Sequence, residues 1–215
     1  RYASANGVRY DALLSAPEDR YLLARYLDQL AAVNPRDLRS SAEKQAYYTN
    51  TYNAAVLEAV LVAYEADAQF RVDRDEFAFF DRLLVTIDNT SLSLNMLEHL
   101  LMRGDLAHES ASDPQFDATR RALVETLHDD MWGEQPFDPR LHFLLNCASR
   151  SCPLLLSEAI TGDRMEAQKE GASATFLADA QRGAGPDGIS ALFDWFAADF
   201  SAAGYSDAGA FISQY

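Results

Sequence analysis

The segment 42–66, AEKQAYYTNTYNAAVLEAVLVAYEA, constrains this chain more than any other. Its residues suit a helix, and its second half is largely apolar. A helix without a clear polar face has to be covered by neighbours, so this one is expected at the centre of the fold. Ser40, followed three residues on by Glu43, marks its start as a capping box, in which each side chain satisfies a backbone N–H of the other residue. Two asparagines, Asn50 and Asn53, interrupt the helix on adjacent turns. Asparagine is a poor interior helix residue. The pair therefore signals a demand for side-chain amides, either as crosslinks to the backbone of a neighbouring loop or as substrate contacts.

The flanking segments read as helices with few strands. Pro17 with Glu18 and Asp19 suits a helix start, since proline fits the first position and carboxylates fit the positive end of the dipole. Residues 82–87 read as a buried strand turning at Asp88-Asn89, and Ser93 as the cap of a helix over 94–103. A helix over 116–131 follows. Residues 141–147, LHFLLNC, read as a strand, and 148–153 as the loop leaving it. Helices are expected over 163–181, 189–200 and 206–214. The count predicts an α+β fold, a mainly helical single domain around a small sheet. Residues 1–39 form an N-terminal extension, 40–200 the core and 201–215 a C-terminal helix. With 48% hydrophobic residues, 215 residues can bury a core without metal or disulfide support.

Composition and missing motifs exclude several functions. The chain carries 33 acidic against 18 Lys and Arg residues, and no basic run could follow a phosphate backbone, so nucleic acid is not an expected partner. No apolar run reaches the ~18–20 residues needed to span a bilayer. A chain beginning at Arg1 fits an exported protein whose signal has been removed, periplasmic or extracellular. Neither a phosphate-binding loop nor HExxH nor GxSxG is present. Gly183, Gly185 and Gly188 match GxGxxG, but a helix precedes them and Pro186 sits inside, so they read as a loop and no dinucleotide cofactor is implied. Asn89-Thr90-Ser91 has the form of a glycosylation sequon, and its simplest role is a turn.

The run 142–155, HFLLNCASRSCPLL, holds both cysteines. Strand alternation would put Cys147 on the apolar face and leave Cys152 in the loop near Arg150. Three readings stand: a Cys147–Cys152 disulfide, two inert thiols, or a reactive Cys152 with a nearby base. A zinc site is weaker, because no compact second ligand pair accompanies His142 and the cysteines. His142 is the candidate base. Glu98 and His99 are adjacent on a helix and diverge by about 100°, so both can face one point only with a local twist. Glu98 lies beside the core stripe and needs a partner, since an isolated buried carboxylate is costly.

Taken together, four segments resemble one family. NTYNAAVL, LSLNMLEHLLMR, DPRLHFLLNCASRSCPLL and ISALFDWFAADF follow, in order, the motifs of the domain-of-unknown-function 547 family. The resemblance groups the polar positions Asn50, Asn53, Glu98, His99, Arg140, His142, Ser151 and Cys152. Amides, a carboxylate, imidazoles and a thiol are the inventory of a covalent cysteine hydrolase or acyltransferase acting on an amide, peptide or thioester. In that reading Cys152 is the nucleophile, His142 the base and Glu98 its orienter. His99 is the alternate base. Asn50, Asn53, Arg140 and Ser151 are candidate substrate contacts, with Asn53 and the backbone amides of the Ser151–Cys152 turn holding the oxyanion. The partner is a small molecule or peptide. The core expected with this chemistry is papain- or transglutaminase-like, with neither metal nor cofactor. The competing reading is a non-catalytic binding or scaffold domain ordered by a Cys147–Cys152 disulfide.

Overall fold

The computed structural model describes residues 1–82, 84–186 and 188–215. Leu83, inside the strand expected over 82–87, and Asp187, inside the glycine-rich loop, lie outside the described residues. The chain opens with a hairpin, β1 (Ala3–Ser4) and β2 (Gly7–Val8), followed by α1 (Tyr10–Leu14) and α2 (Pro17–Ala31). The central helix α3 (Ser41–Ala66) comes next, then α4 (Phe79–Arg82) and the hairpin β3 (Leu84–Ile87) and β4 (Thr90–Ser93). A wide helical segment (Met96–Met102) leads to α5 (Ala118–Trp132), a 3₁₀ segment (Pro139–Leu144) and α6 (Met165–Ala178). The hairpin β5 (Ala184–Gly185) and β6 (Gly188–Ile189) precedes α7 (Leu192–Trp195), α8 (Ala197–Ala202) and α9 (Ala208–Ile212). Among the described residues the strands form three separate antiparallel pairs. The fold is thus mainly helical α+β.

The capping box on α3 forms as the sequence requires: Glu43 N–H donates to Ser40 Oγ at 3.2 Å, and Ser40 N–H to Glu43 Oε2 at 3.3 Å. The helix then runs through the core with Tyr48, Tyr52, Val56 and Leu61 buried. Residues 1–39 are not a loose appendage. α2 packs on α3, Leu30 is buried, and Tyr47 Oη donates to the Leu30 carbonyl at 3.1 Å. The turn between β3 and β4 holds Asp88 and Asn89 at φ 48° and 59°, the left-handed pair that a two-residue hairpin needs. That is the role Asn89 plays. No described helix is long and apolar enough to cross a membrane.

The strand expected over 141–147 is not one. Asp138 accepts the Arg140 N–H at 3.0 Å, and Pro139 starts a 3₁₀ segment that runs to Leu144. Leu141, His142, Phe143 and Leu144 are all buried, so the segment has no solvent face to alternate with. A short run buried on every side has no period that tells strand from helix. Around it Phe143, Phe193, Phe200 and Phe211 form an aromatic cluster. α7, α8 and α9 are thereby clamped over the 3₁₀ segment. Gly185 and Gly188 pair in the small β5–β6 hairpin with Gly183 just before it, so the segment after the helix is a short hairpin where a loop was expected.

Candidate active site

A cleft of about 490 Å³ opens between the wide helical segment, the chain after the 3₁₀ segment, and α7. Glu98, His99, His142, Cys147, Ser151 and Cys152 all line it, although they come from segments some fifty residues apart in sequence. Tyr52 closes its floor from α3, and Phe77 and Trp195 stand exposed at its rim.

Glu98 and His99 share the cleft because the helix there is not an α-helix. Arg103 N–H donates to the Glu98 carbonyl at 3.1 Å, five residues back, and this wider turn brings successive side chains closer in direction. This is the local twist that adjacency required. Ser93 Oγ caps the segment, accepting the Met96 N–H at 3.1 Å. Glu98 faces the Tyr52 phenol. Burial, with the Glu98 carboxylate beside it, holds Tyr52 well above its ordinary pKa, so it stays a donor.

His142 is buried, and its hydrogen-bond partner is Asp199 of α8 rather than Glu98. Nε2 lies 2.8 Å from Asp199 Oδ2. A carboxylate can only accept here, which assigns the proton to Nε2 and leaves the lone pair on Nδ1. The ring stacks on Phe196 at 3.9 Å. Burial lowers the His142 pKa, and the hydrogen bond it donates to Asp199 opposes that shift. Burial alone would raise Asp199, but the bonds from His142 and Arg103 outweigh it and hold it below the usual carboxylate range.

Arg103 ties the remaining groups together. Its Nε and Nη2 donate to Asp199 at 2.7 and 3.3 Å, and its Nη1 donates to His99 Nδ1 at 2.6 Å. Arginine has no acceptor, so His99 Nδ1 must be unprotonated. His99 also stacks flat on His108, with centroids 3.7 Å apart. Burial, then the neighbouring His108 and Arg103, push its pKa down to about 2. With Nδ1 occupied by Arg103, His99 is poorly placed as a base and serves as a wall of the cleft.

Cys147 and Cys152 are joined as a disulfide, with Cα atoms 6.1 Å apart. Both line the cleft, which the alternation argument had kept apart. Cys147 also packs against the hydrophobic core. Ser151 lines the cleft near the rim, its Oγ 3.1 Å from Ser149 Oγ.

Three expected substrate contacts lie elsewhere. Asn50 clamps the backbone of Ile160: its Nδ2 donates to the carbonyl at 2.8 Å, and its Oδ1 accepts the N–H at 3.0 Å. Asn53 does the same across the 3₁₀ exit, donating to the Leu144 carbonyl at 2.8 Å and accepting from Asn146 N–H at 2.9 Å. Both amides bond backbone groups, which is the crosslink alternative of the two the sequence left open, and neither lines the cleft. Arg140 pairs with Asp138 and Glu166, at 2.7 and 2.9 Å, outside the cleft. Asp199, Arg103, His108 and Phe196 were not identified from sequence. Asp199 stood inside the quoted segment ISALFDWFAADF, where a carboxylate between Ala198 and Phe200 on an aromatic helix was the available signal. Among the described residues, no group of three or more His, Cys, Asp or Glu is arranged to hold a metal ion.

A family model described as "Protein of unknown function, DUF547" matches residues 35–177, two thirds of the sequence. The chain belongs to that family. The DUF547 match takes in Glu98, His142 and both cysteines but stops short of the fourth resembling segment, ISALFDWFAADF, and so of Asp199. No curated protein and no solved structure matches the chain.

Proposed function

We propose that this DUF547 protein is a thiol-dependent hydrolase or acyltransferase acting on an amide, peptide or thioester carbonyl, with Cys152 in its reduced form as the nucleophile. The observation that carries the reading is that Cys152, His142 and Glu98 line one open cleft. The orienting carboxylate in the proposal is Asp199, which holds the His142 proton on Nε2. His142 Nδ1 would take the Cys152 proton as sulfur attacks the carbonyl, then return it to the leaving amine or thiol. Water would release the acyl group from sulfur in hydrolysis, or a second nucleophile would do so in transfer. The Glu98–Tyr52 pair would line the far side and favour the transient imidazolium through the carboxylate. This division of labour is the one found in papain-like and transglutaminase-like cores, and we carry that comparison only as far as the roles.

The test uses reduced full-length protein and a panel of p-nitrophenyl esters, aryl thioesters and aminocoumarin amides. Turnover that vanishes in Cys152→Ala and survives in Cys147→Ser is the expected result. Full turnover in Cys152→Ala sinks the proposal.

One observation favours a second reading. The cysteines are paired, which fits a binding domain whose cleft is merely ordered by a disulfide. In that case reduction destabilises the fold and no thiol-dependent turnover accompanies it.

A further inference from the structure

The loop closed by the Cys147–Cys152 disulfide is already closed without it. Asn146 Nδ2 donates to the Pro153 carbonyl at 2.7 Å, tying the residue just before the first cysteine to the residue just after the second. Asn146 Oδ1 accepts the Ala148 N–H at 3.2 Å, holding the start of the loop. Asn146 is itself fixed from α3, its N–H donating to Asn53 Oδ1 at 2.9 Å. A disulfide stabilises mainly by restricting the unfolded chain, and least for short loops. Here it closes a five-residue separation whose ends a buried asparagine already holds. The bond therefore contributes only the modest gain of a short loop, about 2 kcal/mol, and the folded loop keeps its shape when the pair is open. Its position is not that of a staple, since both cysteines line the cleft beside a buried imidazole.

From the clamped loop and the shared cleft we infer that Cys147 and Cys152 form a reversible thiol–disulfide exchange site, reacting with a low-molecular-weight thiol admitted by the cleft. Cys147 packs against the core, so Cys152 is the sulfur that an incoming thiol meets. The thiolate of the first thiol attacks Cys152 Sγ. The Sγ–Sγ bond breaks, a mixed disulfide forms on Cys152, and Cys147 leaves as a thiolate that takes a proton. A second thiolate attacks the external sulfur and leaves as the symmetric disulfide, releasing the Cys152 thiolate. Two external thiols are oxidised and one protein disulfide is reduced, a two-electron exchange that runs in either direction. The Asn146 clamp keeps the freed sulfurs close, so Cys147 can displace a mixed disulfide from Cys152 and restore the pair. This inference shares the cleft with the hydrolase proposal but does not depend on acyl chemistry.

The probe is glutathione with the full-length protein. Protein is equilibrated at about pH 7.5 in glutathione buffers running from reduced to oxidised, quenched in acid, alkylated and weighed by mass spectrometry. Native protein should pass between disulfide and dithiol without denaturant, and Tm should differ between the two forms by less than about 10 °C, the most a loop this short should give. With oxidised glutathione, Cys147→Ser should accumulate one glutathionyl adduct on Cys152 at least roughly tenfold faster than Cys152→Ser acquires one on Cys147. A pair that yields only when the protein is unfolded overturns the inference, as does a Tm loss above that limit or equal adduct rates. Cycling without any ester, thioester or amide turnover leaves the inference standing and removes the hydrolase. Turnover by reduced protein whose pair does not re-form under oxidised glutathione does the reverse.

Discussion

Asn53→Ala should damage stability rather than chemistry. In the folded protein the Asn53 amide makes two hydrogen bonds, to the Leu144 carbonyl at 2.8 Å and from Asn146 N–H at 2.9 Å. Asn53, Leu144 and Asn146 are all buried, so truncation leaves a carbonyl and an N–H with no water to turn to. Each buried group left unsatisfied costs about 1–3 kcal/mol, which puts the loss near ~3 kcal/mol. For a chain of this size that corresponds to a fall in Tm of roughly 6–12 °C. The urea midpoint should drop by about 1–1.5 M at an unchanged slope. Asn53→Asp is the informative companion. It keeps an acceptor for Asn146 N–H but sets an oxygen against the Leu144 carbonyl, so it should be at least as damaging as alanine. Equilibrium urea denaturation followed by circular dichroism reads both. A loss below about 1 kcal/mol for Asn53→Ala, with thiol-dependent turnover abolished, would refute the clamp and return Asn53 to the substrate.

Stability should also fall on mild acidification. His99 is held at about 2 and His142 below its ordinary value, both chiefly by burial. In the unfolded chain each regains about 6.5, so unfolding takes up protons below that pH; His99 alone then costs about 1.4 kcal/mol per pH unit, with His142 adding to it until its own folded value is reached. Urea midpoints measured from pH 8 downward should be flat and then decline below about 6.5, and a rise in that window contradicts the assignment. Gly183→Ala should destabilise by roughly 2–3 kcal/mol or more, since its Cβ would stand 2.0 Å from the Phe176 carbonyl oxygen, and backbone cannot step aside. An unperturbed melt for that variant would mean the glycine is there for something other than packing. If the protein turns over acyl substrates, Asp199→Asn should lower kcat by roughly a thousandfold in protein still folded at the assay temperature, with a lowered Tm, because the His142 tautomer loses its fixed acceptor and Arg103 its counter-charge. Unchanged kcat would remove Asp199 from the site.

The parts of the structure set by local chemistry were legible in the sequence. The Ser40–Glu43 box, the Ser93 cap and the Asp88-Asn89 turn are each specified within a few residues, and each forms as read. The grouping of Glu98, His142 and Cys152 came from the family resemblance, and the same three line the cleft. What failed depended on tertiary surroundings. Residues 141–144 are covered on all sides, so their hydrophobicity carried no direction and suggested a strand. The separation of Cys147 from Cys152 rested on that strand and fell with it. Asp199 and Arg103 find each other across 96 residues, a pairing that no local pattern encodes.

The position of Asp199 bears on how this protein is handled. The family match ends at residue 177, and a fragment cut there would span the matched segment. It would nevertheless lack α8, and with it the acceptor for His142, the counter-charge for Arg103 and the Phe196 ring that both rest against. Two cations or would-be cations would be left facing an empty flank, and the aromatic lid over Phe143 would be gone. The matched segment 35–177 therefore lacks residues that this cleft uses, and an inert fragment of that length would say nothing about the longer chain.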